Sequence, residues 1–158
     1  MKKKATISII FLIIIIPVIF ATRYFIPKKS IDDIKIIEVS KYSGFGCPVR
    51  EYVIDFDKNL VTYNYTYLNR TNNDNQFSSG NFSKEDAEYF LEQANSCRFF
   101  NWKKSYKTRH GGNDLPYTCI RIIYKNGDIQ IIKCDNAYPH NYDQMAEVFY
   151  EAFGYNIL

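Results

Sequence analysis

The segment CIRIIYKNGDIQIIKC, residues 119–134, constrains the fold of this chain more than any other stretch. Two runs of alternating residues flank Asn126 and Gly127, which accept the positive φ angles of a two-residue hairpin turn. A turn of this length places Cys119 directly opposite Cys134. It also gathers apolar side chains on one face of the paired strands, namely Ile120, Ile122, Ile129 and Ile131. The segment therefore predicts an antiparallel hairpin with a defined register.

The four cysteines are predicted to form disulfides. Directly opposite residues of an antiparallel pair lie roughly 4.5 to 5.5 Å apart at Cα, which a disulfide tolerates. Cys119 and Cys134 therefore form the first predicted bridge. Cys47 and Cys97 form the second by elimination, because four cysteines allow three connectivities.

Strand patterns also occur elsewhere in the chain. Residues 34–42 are predicted as a first strand, and residues 50–68 as a hairpin with Lys58-Asn59 as its two-residue turn. The Asn-rich segment 70–81 is predicted as a polar loop, and a short strand is expected near residues 99–102.

Two segments have the pattern of amphipathic helices. Ser83 begins the first in capping-box fashion, and Gly154 is placed to end the second. Their predicted apolar faces are Ala87, Phe90, Leu91, Ala94 and Cys97 in the first, and Met145, Ala146, Phe149, Ala152 and Phe153 in the second. The predicted fold class is α+β, with an antiparallel sheet of about five strands and two helices packed on one face.

An uncharged apolar run at residues 5–22 follows three lysines at the N-terminus. About 18 residues at 1.5 Å rise can cross a hydrocarbon core of about 30 Å, so the run predicts a transmembrane helix that acts as a signal anchor. The alternative is secretion after cleavage near Ala21, because Pro17 can end the helix shortly before that small residue.

The rest of the organisation follows from this anchor. Residues 1–23 are assigned to the anchor, residues 24–33 to a linker and residues 34–158 to one α+β domain. A short basic N-terminus is normally retained inside while the larger part is exported, so the domain is predicted to lie outside the cytoplasm. The abundance of Ile, Lys, Asn and Tyr indicates an AT-rich, bacterial coding sequence.

The charge of the domain argues against a nucleic-acid partner. Four of the 20 Lys and Arg residues lie within the first 23 positions, whereas none of the 17 Asp and Glu residues does, so the rest of the chain has 16 cations against 17 anions. A nucleic-acid binder usually shows a net basic domain. The mixed aromatic and basic segment at residues 102–109 is therefore predicted to be an exposed edge, with contact to a membrane surface as the alternative.

Candidate catalytic residues are few. Arg109, His110 and Asp114 surround a Gly-Gly pair, and His140 lies in another loop. The sequence has neither a G-x-S-x-G nor an H-E-x-x-H motif, and its histidines lack the clustered spacing of zinc ligands. A solvated loop is the preferred interpretation of this group, and no catalytic site, metal or cofactor is predicted.

Two stretches resemble known sequences. Gly44-Phe45-Gly46-Cys47-Pro48-Val49 resembles the C-F-G-x-C-P-x-Y opening of a family of small bacterial exported domains of unknown function. The segment NAYPHNY, residues 136–142, is similar to the ending of many small bacterial domains, where it joins the last strand to the last helix. The resemblance implies an exported domain of this fold, and it implies no activity.

These observations predict a membrane-anchored, extracytoplasmic binding or interaction domain without catalysis, whose partners are the membrane and an unknown protein or envelope ligand. Two alternatives stay open: an inhibitor or immunity-type protein with one tight partner, and a hydrolase of unfamiliar type that uses His110 or His140.

Overall fold

The computed structural model describes residues 28–42, 49–66, 76–108 and 116–158. The strands are β1 (Ile34–Tyr42), β2 (Val49–Asp55), β3 (Leu60–Thr66), β4 (Gln76–Asn81), β5 (Ser105–Lys107), β6 (Tyr117–Tyr124) and β7 (Ile129–Asp135). The helices are α1 (Lys84–Ser96) and α2 (Tyr142–Phe153), and a short 3-10 helix, Phe99–Asn101, follows α1. The predicted α+β class is confirmed.

The seven strands form one mixed sheet in the order β4-β3-β2-β1-β6-β7-β5. Neighbouring strands are antiparallel except β5, which runs parallel to β7. The prediction of about five antiparallel strands is therefore wrong, because it missed β4 and β5 at the two edges of the sheet. Edge strands of polar residues join a sheet through backbone hydrogen bonds and leave no alternation of buried side chains in the sequence.

One face of the sheet and both helices share a single core. On the sheet, the core side chains alternate along the central strands and include Ile37, Val39, Ile54, Val61, Ile120, Ile122 and Ile132. On the helices they include Ala87, Phe90, Leu91, Ala94, Met145, Val148, Phe149, Ala152 and Phe153. The predicted helix faces are confirmed except at Ala146, which is only partly buried.

The ends of the helices follow their capping residues. The Ser83 side chain accepts a hydrogen bond from the Asp86 amide at 3.1 Å, and the Asp86 carboxylate accepts one from the Ser83 amide at 2.8 Å. Gly154 ends α2 with a φ angle of +72°, a conformation that glycine adopts without steric cost. Both predicted caps are confirmed.

The register of the β6–β7 hairpin differs from the predicted one. Only Gly127 of the turn has a positive φ angle, and the Tyr124 amide donates to the Asp128 carbonyl at 2.9 Å. The loop is therefore one residue longer than a two-residue turn, in the manner of a type I turn that ends in a glycine bulge. As a result Cys119 faces Lys133, and Cys134 faces Thr118.

The predicted signal anchor at residues 1–23 lies outside the described residues. Within the part of the chain that the structure describes, neither helix has the length and apolar character needed to span a membrane.

Candidate ligand cleft

The cysteines do not form the predicted cross-strand bridge. The register of the β6–β7 hairpin places the two cysteines on opposite faces of the sheet. Cys134 is in the core and fully buried, whereas Cys119 is on the other face and half-buried. Both are free thiols, so the prediction of a Cys119–Cys134 disulfide is wrong. Cys97 is a buried thiol at the end of α1, whereas Cys47 lies outside the described residues, so their pairing stays a prediction.

A cleft opens at the end of the sheet where β1 ends and β2 and β6 begin. Its cavity volume is about 420 Å³, and it is lined by Lys41, Tyr42, Arg50, Pro116, Thr118, Tyr138, Tyr142, Asp143 and Leu158. The floor of the cleft is a row of paired residues across three strands: Arg50 faces Lys41 on β1, which in turn faces Thr118 on β6.

Two cations therefore lie side by side in this floor. Along β1, Lys41 continues the alternation of Ile37 and Val39, and along β2, Arg50 precedes Tyr52 in the same way. These positions belong to the face of the sheet that packs against the helices. Both cations are thus held at the open end of the core-facing side.

The environment of the floor disfavours the charged form of Lys41. Burial, and secondarily the charge of Arg50, lower the pKa of Lys41 below its ordinary value of 10.5. Among the described residues, no carboxylate lies within ion-pairing distance of Lys41 or Arg50. The guanidinium instead lies over the Tyr65 ring, 5.9 Å from its centroid. An anion bound here would relieve the repulsion between the two cations.

Hydroxyl groups form the wall of the cleft beside these cations. The Tyr142 ring lies 6.2 Å from the Trp102 ring and 4.3 Å from the Tyr138 ring, measured between centroids. The Tyr142 hydroxyl lies 3.5 Å from that of Thr118, which is almost completely buried. Burial raises the pKa of Tyr142 to about 12, so its hydroxyl keeps its proton at neutral pH and can donate a hydrogen bond.

The start of α2 is fixed by a side chain that links three segments. Trp102 donates its indole N–H to the side-chain oxygen Oδ1 of Asn141 at 3.1 Å, and the side-chain NH2 group of Asn141 donates to the backbone carbonyl of Cys97. Asn141 is the N-cap residue of α2, although its side chain makes no capping hydrogen bond. These bonds fix the start of α2 over the sheet, and with it the tyrosine wall of the cleft, which consists of Tyr138 and Tyr142.

A second cavity, of about 350 Å³, lies at the β6–β7 turn and contains both acidic and basic side chains. Most of its charges already have partners within the chain. Lys125 forms an ion pair with Asp57 at 3.2 Å, Asp33 accepts a hydrogen bond from the Ser30 amide, and Lys29 lies over the Tyr124 ring. The cleft with unneutralised cations is therefore the better candidate for a ligand site.

The candidate catalytic residues are not brought together by the described part of the fold. His140 is exposed and does not line the cleft. Arg109, His110 and Asp114 lie outside the described residues. The cleft offers cations and hydroxyl donors that can bind and orient an anionic group.

The mixed aromatic and basic segment divides between core and surface. Trp102 is buried, which corrects its prediction as an exposed residue, while Lys103, Lys104 and Lys107 are exposed along β5. The prediction of an edge is confirmed, because β5 is the last strand of the sheet. Contact of these lysines with a membrane stays a prediction.

Sequence reasoning missed the cleft, although one signal was present: Lys41 and Arg50 follow the core-facing alternation of their strands, where Lys41 is half-buried and Arg50 is exposed. Similarity to known proteins adds nothing to this structural evidence. No protein-family model matches the chain, and no curated protein has a similar sequence.

Proposed function

We propose that the protein is a binding domain, anchored in the membrane by residues 5–22 and exposed outside the cytoplasm, whose ligand presents a carboxylate or phosphate group to Lys41 and Arg50. The observation that carries the proposal is this cation pair, which lines a cleft and has no carboxylate partner among the described residues. The neighbouring hydroxyl groups add donors for the remaining oxygens of the anion.

The chemistry of the pair suits an oxyanion. The planar guanidinium of Arg50 matches the geometry of carboxylate and phosphate oxygens, and Lys41 supplies a compact point charge. Hydrogen bonds to charged groups contribute about 1.5 to 3 kcal/mol each. Because Lys41 is already partly desolvated in the free protein, an incoming anion meets a preformed site and raises the pKa of this lysine.

Titration of the detergent-solubilised full chain with inorganic phosphate and with citrate, at constant ionic strength, tests the anion site. We expect saturable binding by calorimetry. Substitutions Lys41→Met and Arg50→Met should each weaken it about tenfold or more, because each removes a charge-assisted contact.

The matched control is Lys133→Met, the same chemical change on the opposite face of the sheet, which should leave binding unchanged. Binding that survives both Lys41→Met and Arg50→Met, or the absence of saturable binding of either anion, would contradict the proposed site.

The proposed location is supported by the basic N-terminus and the long apolar run that follows it. Protease treatment of intact cells should cleave the exported domain, and carbonate extraction should leave the chain in the membrane. Cleavage only after cell lysis would contradict the orientation, while release by carbonate would favour secretion after processing near Ala21.

The natural ligand can be sought by affinity capture from the cell envelope with the full chain as bait. The double variant Lys41→Met/Arg50→Met serves as the control bait. An envelope component retained only by the unmodified chain supports the proposal. A protein retained equally by both baits would place the interaction elsewhere on the domain.

A further inference from the structure

The two edges of the sheet differ in how well they are protected from pairing with another strand. At one edge, β5 has only three residues, and Lys103, Lys104 and Lys107 surround it. At the other edge, β4 has six residues, Gln-Phe-Ser-Ser-Gly-Asn, without a charge or a proline. Within the described part of the chain, β4 pairs with β3 alone. Short length, lysines and prolines are the usual protections of an edge strand, and β4 has none of them.

We infer that β4 is an assembly site, where it pairs antiparallel with β4 of a second copy of this chain. Successive residues of a strand direct their backbone groups alternately to its two sides, so about half of the amide and carbonyl groups of β4 face away from β3. Pairing with a second copy satisfies these groups and joins the two sheets into one. The inference does not depend on the anion cleft.

Phe77 is the second observation that favours this occupant. Its side chain is 69% exposed, more than any other large hydrophobic residue in the described part of the chain, and it lies on the sheet face opposite the helices. If Ser78 faces its own copy across the two-fold axis, Phe77 faces Ser79 of the second copy. The two Phe77 residues are then diagonal neighbours, roughly 7 to 8 Å apart at Cα, within reach of aromatic contact.

The charge distribution also favours self-pairing at β4 over β5. Antiparallel pairing about a two-fold axis brings the central residues of a strand close to their own copies, and like charges that meet across such a pair are destabilising. Self-pairing of β5 would bring lysines together, whereas self-pairing of β4 opposes only uncharged residues. A second copy therefore suits β4 because it pairs the outer backbone groups, covers Phe77 and opposes no like charges.

The test is the mass of the full chain in detergent, measured by light scattering and analytical ultracentrifugation over a hundredfold range of concentration. We expect a reversible dimer. Ser79→Lys places a charge in the middle of β4 and should raise the dissociation constant at least tenfold, and Phe77→Ser should also weaken the dimer. The matched control is Ser105→Lys, the same change at the opposite edge, which should leave the dimer intact.

Circular dichroism and thermal melting of each variant separate loss of pairing from loss of folding. Because Phe77 and Ser79 are exposed, both variants should melt as the parent does at concentrations where the parent is monomeric. A chain that stays monomeric throughout, or a dimer that resists both β4 variants, would overturn the inference. A monomer that adds a synthetic extended peptide along β4 would also overturn it, because the occupant would then be another chain.

Discussion

The two hairpins of the sheet show how differently a small error in turn length affects a strand. In the β2–β3 hairpin, Asp55 faces Leu60, so the turn is two residues longer than the predicted Lys58-Asn59 turn. In the β6–β7 hairpin the turn is one residue longer than predicted. The first difference leaves every side chain on its predicted face, whereas the second exchanges the two faces of β7.

The cause is the two-residue period of a strand. A shift by two positions changes the cross-strand partner but keeps the face, so the predicted turn and the observed turn both place Tyr52, Ile54 and Val61 on the buried face. A shift by one position moves each side chain of one strand to the other face. Consequently Ile132 and Cys134 are in the core, while Ile129 and Ile131 are 52% and 42% exposed. An error of one residue in the turn length therefore inverts the predicted burial of a strand, whereas an error of two residues leaves it unchanged.

The largest expected effect separates two neighbouring isoleucines of β7. Ile132→Ala should lower the free energy of unfolding by about 2 to 4 kcal/mol, because it removes fully buried methyl groups. Ile131→Ala should cost less than about 1 kcal/mol, since its side chain is exposed. Urea denaturation measures both. A larger loss of stability for Ile131→Ala than for Ile132→Ala would contradict the observed register and support the two-residue turn.

An intermediate effect is expected at the turn glycine. Gly127 has a φ angle of +90° with nothing within 4 Å of an added Cβ, so the cost of Gly127→Ala is backbone strain alone, about 1 to 3 kcal/mol. Asn59, in the other hairpin, has a φ angle of +51°, and Asn59→Gly should change stability by less than about 1 kcal/mol. A neutral Gly127→Ala would contradict the positive φ angle at this position.

The two thiols provide a third test, whose effect on stability is absent below pH 9 and develops only in alkaline solution. Burial, and then the charge of Cys119, raise the pKa of the Cys134 thiol to about 11 from an ordinary 9.0. A pKa that is higher in the folded state gives stability that is complete below pH 9 and is lost as the pH rises through 11. Cys134→Ala should remove this part of the loss in alkaline unfolding experiments, and Cys119→Ala should keep the larger share of it, because burial is the first cause of the shift.

Alkylation at pH 8 separates the same two residues directly. Cys119 should react in the folded protein, whereas Cys134 should react only after unfolding, because it is fully buried. Mass spectrometry without reductant should find both as free thiols. A peptide in which Cys119 is joined to Cys134 would contradict the register.

Much of the fold could be predicted because its signals are local. The capping box at Ser83, the glycine end of α2 and the apolar helix faces each depend on residues within a few positions of one another. In the β6–β7 turn, however, Asn126 accepts a side-chain hydrogen bond from the Asp128 amide at 3.0 Å, which favours a type I turn over the expected one. This competition between turn types is not visible from the Asn-Gly pair alone.

The edge strands and the cleft could not be predicted for a different reason, since both depend on distant parts of the chain. β4 is polar and is defined by its pairing with β3. The alternation of β1 and β2 places Lys41 and Arg50 on the core-facing side of the sheet, but only the β1–β2 register makes them neighbours. The tyrosine wall depends on the packing of Trp102 against the start of α2.

The most direct test of the proposed anion site is the pKa of the Lys41 side chain, measured by NMR in the presence and absence of inorganic phosphate. The free protein should give a pKa below 10.5, and saturation with phosphate should raise it, because the bound anion stabilises the charged form. Lys133, on the opposite face, serves as the internal reference and should not respond. A Lys41 pKa that is the same with and without phosphate would contradict the assignment of the cleft as an anion site.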